Sequence, residues 1–87
     1  MNRVSRYHDL IDRLDGYTVG TLIVDEGVAL LQSGMRYLTL NNAKSIEVLN
    51  TVDDREQYVV VTVAECLALV DDYGWPLLAG LYARVRF

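Results

Sequence analysis

The sequence predicts an α+β fold with an N-terminal helix, a mostly antiparallel sheet of about five to six strands, and one packed helix near 63–73. Three observations support this prediction. An apolar stripe at helical spacing runs through residues 3–14. Short runs of β-branched and aromatic residues, separated by turn residues, follow it. A continuous apolar run at 58–63 then changes its period from that of a strand to that of a helix.

Residues 3–14 form the predicted first helix, and Asp15-Gly16 is its stop signal. We expect its apolar face to pack on the rest of the domain; that face carries Val4, Tyr7, Leu10, Ile11 and Leu14. We expect its charged face to be exposed; that face carries Arg3, Arg6, Asp9, Asp12 and Arg13. His8 and Asp12 stand four residues apart, which predicts an exposed hydrogen-bonded pair and not part of a hydrolase triad.

Turn residues divide the next part of the chain into short strands. The predicted strands are 17–24, 28–33, 36–40 and 45–50. Gly20 indicates a bend or bulge in the first of them, and Ser33-Gly34 a tight hairpin. The last run is either a strand or a short helical turn, and the alternation of Ile46 and Val48 with polar residues favours the strand. Residues 51–56 are predicted to be a polar loop.

The apolar run at 58–63 predicts a central strand that is covered on both faces. A capping box between Thr62 and Glu65 begins the helix that follows, and Gly74 ends it. Cys66 lies on the apolar stripe of this helix, so we expect it to be a buried core residue.

The C-terminal residues alternate with a period of two, which predicts a strand at about 78–87. A helix over 77–84 is the competing interpretation, because leucine and alanine favour helices.

Length and composition limit the class of protein. The 87 residues make one small domain, 1–87, and an apolar content of 52% supports a real core. No apolar stretch is long enough to cross a membrane, and the N-terminus lacks a signal-peptide pattern. A single cysteine fits a reducing compartment, so we expect a cytoplasmic protein. The net charge of −4 argues against binding to nucleic acid or to an anionic membrane.

Motifs for catalysis, cofactors and metals are missing from the sequence. One histidine and one cysteine cannot build a zinc site, and the carboxylates lack the spacing of an EF-hand. The glycines are dispersed and form no phosphate-binding loop. We therefore predict a protein that is not an enzyme and holds no cofactor or metal.

Grouped carboxylates and one tryptophan are the candidate partner-binding residues. Asp71 and Asp72 stand in the last turn of the predicted second helix, where they oppose its macrodipole. Negative charges placed against a helix macrodipole without an evident structural benefit indicate that the charges have a function. Trp75 precedes Pro76 in a connection, so we expect it to be at least partly exposed. The predicted partner-binding set is Asp53, Asp54, Glu56, Asp71, Asp72 and Trp75.

These residues predict a small acidic module that covers a basic surface of a larger protein by steric and electrostatic block. In size and charge the chain resembles small acidic inhibitors that phages make against host nucleases, including anti-CRISPR proteins. One alternative is a homo-oligomeric assembly subunit that dimerises through a C-terminal edge strand carrying Arg84 and Arg86.

Another alternative is a nucleic-acid binder. The run of strands behind an N-terminal helix resembles the layout of Sm-like small barrels. That function would require the following arginines to converge on one face: Arg3, Arg6, Arg36, Arg84 and Arg86.

Overall fold

The computed structural model describes residues 10–87, except for the side chain of Val52. The first part of the predicted N-terminal helix, including His8, lies outside the described residues. Two helices and a six-stranded antiparallel sheet form an α+β fold, as predicted. The described part of helix α1 is residues 10–14, and the other elements are β1 Thr18–Asp25, β2 Val28–Ser33, β3 Arg36–Thr39, β4 Ser45–Val52, β5 Arg55–Val61, α2 Val63–Ala68 and β6 Tyr82–Arg86.

The strand order places β6 in the middle of the sheet. The order is β3-β2-β1-β6-β4-β5, and every neighbouring pair is antiparallel. Both edges of β6 are therefore hydrogen-bonded, to β1 and to β4. The predicted dimer through a C-terminal edge strand is wrong, because that strand has no free edge. The alternative of a helix over 77–84 is also wrong, since Tyr82–Arg86 is a strand.

Strand β5 is an edge strand and not the central strand that its apolar run predicted. Val61 points into the core, but Val60 on the opposite face is 68% exposed. Tyr58 lies on that same face and contributes its hydroxyl to a polar cluster. The core-facing side of the run is buried at Val61 but 37% exposed at Val59, and the other side is mixed, so the run does not mark a fully covered strand.

The hydrophobic core lies on one face of the sheet. The alternation along β6 shows the division, since Ala83 and Val85 are fully buried in the core while Arg84 faces the other side. Helix α2 covers the core face, and Cys66 is buried there as predicted. The core residues are Leu22, Ala29, Leu31, Leu40, Ile46, Val48, Val61, Cys66, Leu78, Ala83 and Val85.

Helix α2 begins as predicted and ends earlier than predicted. Thr62 Oγ1 accepts from the Glu65 amide at 3.1 Å, and Glu65 Oε1 accepts from the Thr62 amide at 3.0 Å, which forms the capping box. Leu69 is already extended, so the helix has six residues. The Asp71 carboxylate accepts hydrogen bonds from two backbone amides of the next loop, which compete with helical bonding.

The predicted polar loop at 51–56 is instead the tip of a hairpin. Strands β4 and β5 continue through it and turn at Asp53-Asp54, where both residues have positive φ. Glu26-Gly27 makes the same kind of turn between β1 and β2. Two central residues with positive φ are typical of a type I′ turn, which matches the twist of the strands. Since β1 and β4 are both antiparallel to β6, the two turns lie at the same end of the sheet.

Gly20 marks a close approach between β1 and β2. A Cβ atom at this position would lie 2.0 Å from the carbonyl oxygen of Gln32. The pairing of β1 with β6 continues through Gly20 without interruption. Glycine is therefore required here for space.

Candidate functional site

A buried ionic cluster lies on the second face of the sheet, beneath α1. Asp12 of α1 is 1% exposed. Its Oδ1 accepts from Arg84 Nη1 at 2.7 Å, and its Oδ2 accepts from the Tyr82 hydroxyl at 3.0 Å and from the Tyr58 hydroxyl. The prediction that Asp12 lies on an exposed helix face is wrong, because three donors of the sheet enclose its carboxylate.

Arg84 joins this carboxylate to a second one. Its Nε and Nη2 donate to the two carboxylate oxygens of Glu47, at 3.0 and 3.3 Å, from the neighbouring strand β4. Its guanidinium lies 3.6 Å from the ring centroid of Tyr58 and 4.5 Å from that of Tyr17. A paired, stacked guanidinium in this setting is held in one orientation.

The pKa values in the cluster follow from burial and these contacts. Burial and the hydrogen bond to Asp12 raise the pKa of the Tyr58 hydroxyl well above its ordinary value. Burial alone would lower the pKa of Arg84, but its hydrogen bonds to Glu47 and Asp12 raise it above the ordinary value. Arg84 therefore stays charged and Tyr58 stays protonated through the neutral pH range.

The buried carboxylate reverses the expected orientation of α1. Asp12 lies opposite Leu10 and Leu14 on the helix, so directing its carboxylate into the sheet turns these two side chains outward. Leu10, Ile11 and Leu14 are exposed, the last by 78%. The three hydrogen bonds to Asp12 therefore determine which side of α1 faces the sheet, and the apolar side chains described in the helix do not.

The cluster attaches α1 to the sheet. Among residues 10–87, every buried side-chain nitrogen or oxygen has a hydrogen-bond partner. The Asp12 carboxylate contacts only internal donors and has almost no exposed surface with which to meet a substrate. The sequence analysis missed this cluster because its members are distant in the chain; they are Asp12, Tyr17, Glu47, Tyr58, Tyr82 and Arg84.

The predicted partner-binding residues are all exposed and lie outside this cluster. Asp53 and Asp54 form the β4–β5 turn, and Glu56 follows in β5. Asp72 and Trp75 lie in the loop 70–76, where the indole is 70% exposed.

The Asp71 carboxylate closes the loop 70–76. It accepts from the amides of Tyr73 at 2.8 Å and Trp75 at 3.0 Å, and an isolated bridge between Val70 and Pro76 joins the two ends of the loop. The carboxylate of Asp71 thus has a structural use, and neither Asp71 nor Asp72 lies in the last turn of α2, which ends at Ala68.

The sheet topology brings these groups to one end, which we name the acidic end. The loop 70–76 forms a cleft with the β1–β2 turn, and the β4–β5 turn lies at the same end. The sequence analysis did not include Asp25 and Glu26, which the β1–β2 turn adds. The carboxylates of the acidic end are Asp25, Glu26, Asp53, Asp54, Glu56, Asp71 and Asp72.

Three basic residues lie at the opposite end of the sheet, whereas Arg55, which begins β5 directly after the β4–β5 turn, is exposed at the acidic end. Arg36 begins β3 after the β2–β3 turn, Lys44 precedes β4, and Arg86 ends β6. Arg84 is unavailable to an outside ligand through its guanidinium, which Asp12 and Glu47 already bind. Of the five arginines that a nucleic-acid binder would require, Arg3 and Arg6 lie outside the described residues.

No family model matches the chain, and searches of curated proteins and of solved structures find no significant match. Within residues 10–87, no group of three or more histidine, cysteine, aspartate or glutamate side chains could hold a metal ion. No helix of this described part is both long and apolar enough to cross a membrane.

Proposed function

We propose that this chain is a non-enzymatic binding module whose acidic end covers a basic surface of a larger protein. The observation that supports this proposal is that two predicted groups, distant in sequence, share one end of the sheet. These groups are the turn at Asp53-Asp54 and the loop that carries Asp72 and Trp75. Exposed carboxylates at both sites would act on the same partner surface.

The mechanism is electrostatic steering followed by steric block. Clustered like charges speed the encounter with an oppositely charged surface and reject partners of the same sign. Trp75 supplies a large apolar contact, and tryptophan is enriched among the residues that dominate binding energy. Because the β1–β2 and β4–β5 turns have only two residues each, their backbone loses little conformational entropy when a partner binds.

The narrower form of this proposal is an inhibitor of the phage type, comparable to anti-CRISPR proteins, that occupies the nucleic-acid-binding surface of its target. We propose that it acts in the cytoplasm, where its single cysteine, the buried Cys66, would stay reduced.

The test begins with a tagged pull-down from a cell lysate, with and without nuclease treatment. A dominant protein that survives nuclease is then titrated with the wild-type chain and with the triple variant Asp53→Asn, Asp54→Asn, Asp72→Asn. Asp71 is left in place because its carboxylate closes the loop. We expect roughly tenfold weaker binding and a smaller salt dependence for the variant.

The control is Asp15→Asn with Glu65→Gln, which removes two exposed carboxylates that do not belong to the acidic end; glutamine at position 65 can keep the capping box. Unchanged affinity of the triple variant, or an equal loss with the control, would exclude the acidic end as the binding surface. Recovery that disappears with nuclease would favour the nucleic-acid hypothesis.

A second candidate function is self-assembly through β5. This edge strand has seven residues without proline, and its Val60 side chain is exposed. Such an edge is able to pair with another strand. A monomeric mass by light scattering at high concentration would exclude this candidate, whereas a dimer that Val60→Lys dissociates would support it.

A further inference from the structure

A cleft of about 330 Å³ lies at the acidic end, between the β1–β2 turn and the loop 70–76. Its apolar lining comes from three elements of the chain, through Val24 of β1, Leu67 of α2 and Val70 of the loop. Leu67 and Val24 also pack against the hydrophobic core, so the lining is continuous with the core.

The rim of this cleft is acidic on one side and aromatic on the other. Asp25 and Glu26 belong to the β1–β2 turn, and both are exposed. Trp75 lies on the loop side with its indole largely exposed. An apolar interior, two carboxylates and an indole are the features that bind a long cationic side chain.

We infer that this cleft binds an arginine side chain of the partner, a conclusion that rests on the proposed function and names the chemistry its surface recognises. The aliphatic stem of an arginine would lie along Val24 and Val70. Its guanidinium would stack on the indole of Trp75 and pair with the carboxylates of Asp25 and Glu26. Lysine has a point charge in place of a planar fork and fits such a site less well.

Both walls of the cleft are held in place before any ligand binds. Glu26 and Gly27 have positive φ in a two-residue turn, which fixes the first wall. The Asp71 carboxylate accepts from the Trp75 amide, and the Asp71 amide donates to the Trp75 carbonyl, each within 3.0 Å, which fixes the second. A site of this kind loses little entropy on binding.

The test uses the single tryptophan of the chain as its reporter. The ligand is Nα-acetyl-arginine N-methylamide, and the control ligand is the norleucine analogue, which has a similar stem without the charge. Tryptophan fluorescence is followed during titration at low salt. We expect saturable binding of the arginine ligand with a Kd on the order of 1 mM, and at least roughly tenfold weaker binding of the control ligand.

Two charge-neutralised variants locate the binding. Asp25→Asn with Glu26→Gln removes the rim carboxylates, and we expect it to weaken binding of the arginine ligand roughly tenfold. Asp15→Asn with Glu65→Gln makes the same two changes outside the cleft, at exposed carboxylates that do not belong to the proposed partner-binding surface. We expect this control to change the affinity less than about twofold.

The arginine inference is overturned if the wild-type chain shows no saturable response, or if the control ligand binds as well. It is also overturned if both variants weaken binding equally, since that result indicates general attraction to the negative charge of the domain. The proposed function is judged separately by partner capture. A chain that captures its partner without binding the arginine ligand retains the proposed function and loses only this inference.

Discussion

Replacing the buried carboxylate of Asp12 should destabilise the domain far more than replacing an exposed carboxylate. Asp12→Ala deletes the acceptor of three hydrogen bonds and leaves Arg84 with one of its two carboxylate partners. Breaking a buried ion pair costs about 3–5 kcal/mol. Arg84 is 19% exposed and retains Glu47, so we place the loss at the lower end, about 3 kcal/mol.

The assay is urea unfolding followed by far-ultraviolet circular dichroism. A domain of this size has a free energy of unfolding of about 5–10 kcal/mol, so the expected loss is a large fraction of the total. The thermal midpoint should fall by more than about 12 °C. Asp15→Asn is the matched control, because Asp15 follows in the same segment and is exposed; we expect a change within about 0.5 kcal/mol.

A loss below about 1 kcal/mol for Asp12→Ala, with an unchanged dependence on urea, would refute the reasoning. It would mean that water replaces the carboxylate as hydrogen-bond acceptor for the three sheet donors without loss of stability. Contacts other than those of Asp12 would then attach α1 to the sheet.

Three further predictions concern Arg84, Tyr58 and Gly20. Arg84→Lys removes the fork and the ring stacking and should cost about 2 kcal/mol in urea unfolding, whereas Arg86→Lys, at an exposed site, should cost less than about 0.5 kcal/mol. Folding raises the pKa of Tyr58 above the ordinary value of about 10, so the unfolded chain releases the proton first and stability falls as pH rises above about 10. Tyr58→Phe should flatten that loss, and an unchanged alkaline profile would contradict this cause. Gly20→Ala should cost more than about 3 kcal/mol or prevent folding, because the added Cβ would overlap the backbone of Gln32. Gly27→Ala should cost only about 1–2 kcal/mol, because its Cβ would enter open space and only the positive φ is unfavourable. Similar losses for the two variants would show that the close approach of the backbone does not require glycine at position 20.

The sequence predicted most elements because their signals are local. Turn residues separate β1, β2 and β3, and the capping box between Thr62 and Glu65 begins α2 at the predicted residue. The alternation at 45–50 correctly favoured a strand. These signals depend on neighbours within a few residues, which the sequence displays directly.

Predictions that depended on distant partners were wrong. The periodicity of α1 identified a helix but not which side faces the sheet, since that depends on Tyr58, Tyr82 and Arg84 far along the chain. The position of β6 between β1 and β4 is likewise a property of tertiary pairing. One signal for the cluster was present, because β6 alternates polar residues at 82, 84 and 86 with small apolar ones.

The candidate site was predicted in part. The exposure of Trp75 is confirmed, and the aspartates of both predicted groups are exposed. The role of Asp71 in closing its loop was not foreseen, since it depends on backbone amides two and four residues further on. Asp25 and Glu26 were not among the predicted partner-binding residues, and only the sheet topology brings them to the acidic end.

The central position of β6 has a consequence for how the chain folds. The strands that precede it form two separate hairpin units, β1–β3 and β4–β5, which have no direct strand pairing with each other. Joining them requires a segment that leaves the ribosome after both. Folding during synthesis should therefore wait until residues 82–86 emerge, and non-local pairing of this kind slows the search for the native state. A chain shortened before Tyr82 should fail to form the sheet, and a synthetic peptide that carries β6 should restore it by pairing with β1 and β4.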